Sequence, residues 1–211
     1  METRMVTRVL PVSPETLRLA GDILREGGLV AFPTDTVYGV GALAFDARAV
    51  ESIYAAKARP VEKAIPVLIA DLAELAKVTE NIPEMAARLA AHFWPGPLTL
   101  VLPKHPRLPE AVSATPSVGI RIPDHPTALA LLRLAGPMAV TSANISGGPS
   151  PSTAEAVQSQ LGSRIPLILD GGETQGGVPS TIVDCTGAEP TILREGPIRL
   201  VEILAQLQGI A

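Results

Sequence analysis

Short apolar runs alternate along this chain with segments that keep helical spacing, and that alternation limits the fold to a sheet covered by helices. Residues 29–32, 65–70, 98–102, 118–122, 138–141, 167–169, 181–185 and 191–193 read as strands. Pro66 sets the second of these at an edge or a strand start, because proline cannot donate to a ladder. Ser13 and Pro14 open a helix, Leu17, Ala20 and Leu24 keep its spacing, and Gly27-Gly28 ends it. Asp46 caps a second helix that runs through Val50, Ile53 and Tyr54 to Lys57. Asp71 and Glu74 form a capping pair for a third, and residues 83–93 and 126–134 read as two more. Ser152 and Glu155 form a capping box for a helix to about Leu161, and a short helix covers residues 201–207. Spacers are irregular and the last third is strand-rich. The expected fold is therefore α/β, a twisted mixed sheet with flanking helices and not a clean doubly wound parallel one. No linker is long enough to divide the chain, so residues 1–211 are expected to form a single domain.

The chain is 46% hydrophobic and 18% charged, which supports a sizeable core. Its mean hydropathy is positive, +0.30. Even so, no apolar run approaches the ~20 residues of a membrane-spanning helix. Residues 1–8 carry charge and no apolar stretch of a secretory signal. The lone cysteine, Cys185, has no internal disulfide partner, and it reads as a packed core thiol. A cytoplasmic location is the resulting expectation. Seventeen basic against 21 acidic residues give a net charge of −4, which argues against coating nucleic acid by bulk charge. A local basic pocket remains open. His92, His105 and His125 are scattered beside apolar residues or proline and read as structural, so no metal site is expected.

Four polar islands interrupt the apolar pattern. The first is Thr34-Asp35-Thr36 after the strand at 29–32, followed by Gly39 and Gly41. A turn explains Pro33 and Asp35, yet hydroxyls held in an apolar wall must find partners, and strand-to-loop turns are where small-molecule sites gather. The second places Lys57, Arg59 and Lys63 within seven residues of a net-acidic chain, a positive spot suited to phosphates. The third, residues 140–150, lies between a strand and a helix N-terminus. It is rich in hydroxyls, amide and glycine and can cradle an anion, although it has no P-loop spacing. The fourth joins Ser180 with Arg194 before Gly196-Pro197. Arg121 stands apart, an arginine inside an apolar strand. It requires an anionic partner, either an internal aspartate or a ligand carboxylate.

Seven segments occur in order: FPTDTVYGVG, KARP, FWPGPLTLVL, VGIRIPDHP, TSANISGGPSP, GVPSTIVD and ILREG. Together they resemble the YrdC-like family of threonylcarbamoyl-AMP synthases, from about Leu17 to Arg199. Ending soon after, the chain resembles the short form without the additional C-terminal domain of longer relatives.

The resemblance implies a mixed sheet around a large concave cavity. It implies a nucleotidyltransferase that makes L-threonylcarbamoyladenylate and pyrophosphate from L-threonine, bicarbonate or CO2, and ATP. The product serves threonylcarbamoyladenosine modification of tRNA through a partner transferase complex. It implies Lys57 and Arg59 as the catalytic pair. Arg59, Lys63, Ser117, Ser142, Asn144, Ser150 and Arg194 would contact ATP, and Thr36, Arg121, the Val140 backbone and Ser180 would contact threonine. Mg²⁺ would arrive with the nucleotide. Two positions depart from the family pattern: Lys63 stands where asparagine is common, and residues 64–68 (Ala-Ile-Pro-Val-Leu) lack a histidine. The main alternative is a double-stranded RNA or tRNA binder of the same fold without synthase activity, weakened by the net charge of −4. Carbamoyl-adenylate formation, as in hydrogenase maturation, belongs to longer chains with zinc-finger-like and acylphosphatase segments. An inactive branch fits poorly with intact Lys57/Arg59 and Ser142/Asn144 pairs.

Overall fold

The computed structural model describes residues 6–208. Most of the N-terminal segment read for a secretory signal, residues 1–5, lies outside the described residues. In chain order the elements are β1 (Arg8–Pro11), α1 (Pro14–Arg25), β2 (Val30–Phe32), β3 (Gly39–Leu43), α2 (Ala47–Lys57), β4 (Val67–Leu68), α3 (Leu75–Val78), α4 (Glu84–Phe93) and β5 (Leu98–Pro103). They continue with β6 (Ser117–Arg121), α5 (Pro126–Ala135), β7 (Met138–Ser142), α6 (Ala154–Leu161), β8 (Leu167–Asp170), β9 (Thr181–Asp184), β10 (Thr191–Arg194) and α7 (Leu200–Gln208).

All ten strands join one mixed sheet in the order β1-β8-β2-β3-β7-β4-β6-β5-β9-β10. β1, β8 and β2 run parallel, as do β4 with β6 and β5 with β9, while β2–β3, β3–β7, β4–β7, β5–β6 and β9–β10 are antiparallel. The central strands are buried on both faces. In β2 the alternation sends Val30 and Phe32 into one core, together with Leu24 of α1 and Leu131 and Leu132 of α5. Ala31 goes to the opposite core with Val50 and Ile53 of α2. Each fully buried Val, Leu, Ile or Phe among these contributes about 1.5–3 kcal/mol, which the flanking helices secure by covering both faces.

Local chemistry explains most boundaries. Ser13 caps α1 in a box with Thr16, and Asp46 accepts from the Ala49 amide at 3.1 Å to start α2. The Asp71–Glu74 pair starts only a short 3₁₀ turn, Leu72–Glu74, running into one turn of α3. Asp71 accepts from Ala73 N, and Glu74 reaches back to Ala70 N at 2.9 Å. α6 is capped by Thr153, one residue later than the expected Ser152, because Thr153 Oγ1 accepts from Ala156 N. Two strands were not anticipated. β1 is only four residues long and mostly exposed, too short to show alternation, and β3 is masked by its glycines. Those glycines are sterically required: a Cβ at Gly39 or Gly41 would lie 2.7 Å from a γ-methyl of Val140 on β7. β4 is only two residues long, since Pro66 has no N–H to extend it; its carbonyl instead accepts from Val140 N at 2.9 Å.

Candidate active site

The turn after β2 is a chain of hydroxyls. Thr34 Oγ1 donates to the Val37 carbonyl at 2.7 Å and accepts from Thr36 N at 3.2 Å. Its proton is thereby committed, so Thr36 is the donor in the 3.0 Å contact between the two hydroxyls. Thr36 Oγ1 in turn accepts from Arg121 Nη1 at 3.1 Å. Both threonines are buried. Above them the segment 171–178 is tied down by Tyr38 Oη donating to the Gly172 carbonyl at 2.7 Å and by Gly177 N donating to the Thr36 carbonyl at 2.8 Å.

Arg121 ends β6 almost wholly buried, its guanidinium held on three nitrogens. Nε donates to the Gly96 carbonyl at 2.9 Å, Nη1 to Thr36, and Nη2 to Asp35 Oδ1 at 2.5 Å. Of the two partners left open, an internal aspartate and a ligand carboxylate, the structure shows the aspartate, Asp35. Asp35 Oδ1 also accepts from Asp124 N at 3.1 Å, while Oδ2 is buried without a partner. Burial pulls the Arg121 pKa down and Asp35 opposes the shift.

Ser180 precedes β9, which pairs in parallel with β5 and brings Thr99 beside it. The two hydroxyls meet at 2.8 Å. Arg194, at the end of β10, grips the Ser180 carbonyl through Nε at 3.0 Å and Nη2 at 2.7 Å, and Nη2 also reaches Ser180 Oγ at 3.2 Å. Arg59 follows α2 through Ala58, whose left-handed backbone (φ 50°) turns the chain away from the helix axis. Its Nε and Nη2 donate to the carbonyls of Lys63 and Ala64 at 3.1 and 2.9 Å.

Thr36, Arg59, Arg121, Ser142, Ser180 and Arg194 all line one hollow, together with Val140. Residues more than 150 positions apart therefore converge on a single cavity. Its walls also include Thr34, Thr99 and Thr141, and the apolar Pro66, Leu68 and Ile182. Thr99 escaped the sequence reading; its one signal was a lone hydroxyl in the apolar run of β5. Three guanidiniums share this space. Burial lowers the Arg194 pKa most, and repulsion from Arg121 and Arg59 adds to it. Among the described residues neither Arg59 nor Arg194 has a carboxylate partner.

Lys57 occupies a different position from the one expected of a phosphate ligand. It is 1% exposed, behind the wall rather than in it. Its Nζ donates to the main-chain carbonyls of Ser142 and Asn144, the latter at 2.6 Å. Burial, reinforced by the Arg59 charge, brings its pKa down to about 7. Asn144 is also buried behind the loop: Nδ2 donates to the carbonyls of Ile145 and Gly148, both at 2.8 Å, and Oδ1 has no partner. Lys63, Ser117 and Ser150 do not line the hollow either: Lys63 is exposed, and Ser117 and Ser150 are half-buried. Cys185 is fully buried and its thiol is pushed up to about 12, which makes it inert. Among the described residues no cluster of three His, Cys, Asp or Glu side chains suits a metal, and no helix is long and apolar enough to cross a membrane.

The model of the Sua5_yciO_yrdC family, described as "Telomere recombination", matches residues 22–196. The chain belongs to this family. It is 47% identical over 189 residues to the threonylcarbamoyl-AMP synthase of Pyrococcus abyssi, covering 89% of this chain and 56% of that protein. It is 46% identical over 208 residues to that of Bacillus subtilis, covering 97% and 60%. The chain thus spans less than two thirds of either relative. Among solved structures, P. abyssi Sua5 complexed with L-threonine matches with a TM-score of 0.91 at 43% identity, covering 97% of this chain and 61% of that one. The fold expectation, a mixed sheet with flanking helices in the YrdC family, is met by the topology and by this likeness.

Proposed function

We propose that this chain forms L-threonylcarbamoyladenylate and pyrophosphate from L-threonine, CO2 or bicarbonate, and ATP. The observation that carries the reading is the convergence of Arg59, Arg121, Arg194, Thr36, Ser142 and Ser180 on one hollow. The naming of relatives at 46–47% identity as threonylcarbamoyl-AMP synthases supports the same reaction.

The chemistry suits what these residues offer. The threonine amine adds to CO2, loses a proton and becomes a carbamate. A carbamate oxygen attacks the α-phosphorus, the bond to the bridging oxygen breaks, and pyrophosphate leaves with the electron pair. Positioning and charge stabilisation dominate such a step. Arg59 and Arg194, without carboxylate partners, are assigned to the phosphates along with Ser142. Arg121 is assigned to the threonine carboxylate, beside Thr36, Ser180 and the Val140 backbone. Thr36 Oγ1, donating to Thr34, offers an acceptor to the substrate amine. Lys57 acts here as a positioning residue, holding the 142–144 main chain from behind. Lys63, Ser117, Asn144 and Ser150 are assigned to the nucleotide by the family resemblance alone. The donors around the hollow are arginines, hydroxyls and amides, so Mg²⁺ fits as an ion carried by the phosphates and water. The transfer to tRNA by a partner complex, and a cytoplasmic setting, belong to this same reading.

The test is mass-spectrometric detection of threonylcarbamoyl-AMP after incubation with ATP, threonine and bicarbonate, with pyrophosphate exchange measured alongside. Thr36→Ala and Arg121→Ala should each raise the threonine requirement at least about tenfold, the scale of a lost hydrogen bond to a charged group. Unchanged threonine dependence in both variants removes the assignment.

A further inference from the structure

The three guanidiniums of the hollow are not equivalent, and the difference lies in one carboxylate. Arg59 and Arg194 donate only to neutral oxygens, the carbonyls of Lys63 and Ala64 and the carbonyl and hydroxyl of Ser180. Their full charge is available to a ligand. Arg121 is paired with Asp35, and the side chains of that pair are 7% and 14% exposed. The pair carries no net charge, so its pull on an anion entering the cavity is weaker and shorter in range than that of a lone cation, although Arg121 still repels the nearby Arg194. We propose that Asp35 is a specificity-determining residue: by pairing with Arg121 it fits that end of the hollow to the carboxylate of a zwitterion and closes it to phosphate. This rests on the reading given under Proposed function.

A phosphate bearing two charges is drawn by net charge, and it gains little from a neutral ion pair. An amino acid is itself neutral overall. It needs directed donors for its carboxylate and an acceptor for its ammonium. Arg121 keeps two of its five N–H groups free after bonding to Gly96, Thr36 and Asp35, enough for one carboxylate. The Asp35 oxygen Oδ2 is buried and accepts nothing, so among the described residues Arg121 is the only side chain that donates to the carboxylate. The backbone also fixes the carboxylate, through Asp124 N on Oδ1. Without Asp35, Arg121 becomes a third free cation beside Arg194, and the two ends of the cavity lose their distinction. Phosphate then competes for the threonine end.

The experiment varies threonine and ATP in turn, each at a fixed level of the other, with inorganic phosphate as inhibitor, in the wild type and in Asp35→Asn, which keeps the shape and the acceptor for Asp124 N. In the wild type, phosphate should raise the apparent KM for ATP and leave that for threonine unchanged. In Asp35→Asn, the same phosphate should raise the apparent KM for threonine about tenfold, the scale of one charge-assisted contact. Asp35→Asn showing the wild-type pattern overturns the proposal. So does phosphate that competes with threonine in the wild type, a result independent of whether the variant folds. A merely structural role for Asp35 would weaken both substrates without changing the type of inhibition, and that outcome also counts against it. If the wild type makes no threonine-dependent product, the reaction assigned above fails, and calorimetric titration with inorganic pyrophosphate still decides the charge assignment. One site in the wild type and two in Asp35→Asn support it; equal numbers sink it.

Discussion

Lys57 Nζ donates to two carbonyls of one loop, those of Ser142 and Asn144, although these residues lie 85 and 87 positions away in the chain. The contact ties the C-terminal end of α2 to the end of β7, the two elements that deliver Arg59 and Ser142 to the hollow.

That burial makes stability depend on pH with a definite sign. The folded Lys57 has a pKa near 7, against 10.5 for the free side chain. Between these values the unfolded chain holds a proton that the folded chain has released, so stability rises with pH across the window and is lowest, for this group, below about pH 7. Lys57→Met removes the titration and leaves two buried carbonyls short of a donor, at about 1–3 kcal/mol each. Denaturant unfolding of both proteins at pH 7 and pH 9 should show the wild type gaining on the variant, by up to about 1.4 kcal/mol per pH unit. A constant difference would mean that folding leaves the amine's protonation unchanged.

Arg59 and Arg194 should separate kinetically. Arg59 bonds to main-chain oxygens of its own loop, whereas Arg194 also fixes the Ser180 carbonyl and hydroxyl. Arg59→Lys is expected to raise KM for ATP about tenfold with KM for threonine unchanged, since a point charge replaces a fork. Arg194→Lys should raise both, because Ser180 loses its clamp. Steady-state kinetics with each substrate varied in turn makes the comparison. Equal effects of the two variants on threonine would contradict the geometry.

Much of this site was legible in residue types. Arg121 in an apolar strand announced a buried anion, and the sequence signals of Thr36, Ser180 and Arg194 led to residues that the fold brings together. What sequence could not give was the side of the wall each residue occupies. Lys57 and Arg59 are two positions apart, yet the left-handed turn at Ala58 leaves one behind the wall and the other in it. Thr99 was missed because its significance comes from the parallel pairing of β5 with β9, a contact across 81 residues. β3 went unseen because the steric demand for its glycines comes from Val140, on a strand distant in sequence.

The segment 171–178 is expected to control the threonine end through Gly176. A Cβ there would stand 2.6 Å from the Asp35 carbonyl and 2.7 Å from Thr36 Cα, both rigid backbone. Gly176→Ala must lift either the segment or the turn beneath it. Residues 175–178 are exposed at the surface, so global stability should change little, while KM for threonine rises severalfold and KM for ATP holds. Thermal unfolding alongside kinetics distinguishes this from general damage. A variant with unaltered threonine KM would show that the segment yields without disturbing Thr36.

Thr99→Val tests whether the second hydroxyl pair matters beyond packing. Thr99 is 1% exposed, its Oγ1 meets Ser180 Oγ at 2.8 Å, and its methyl is turned toward Gly119. Valine keeps that methyl and nearly the same volume, so the change isolates the hydroxyl. Ser180 Oγ would keep only its contact from Arg194 Nη2 at 3.2 Å and would be free to rotate. The stability cost should be about 1 kcal/mol, the net worth of one buried hydrogen bond. The kinetic effect should fall on discrimination: relative to wild type, the ratio of kcat/KM for L-threonine over L-valine should drop, because a held hydroxyl rejects the isostere that cannot bond to it. Parallel assays with the two amino acids measure that ratio. An unchanged ratio with the stability loss present would confine Thr99 to holding the fold.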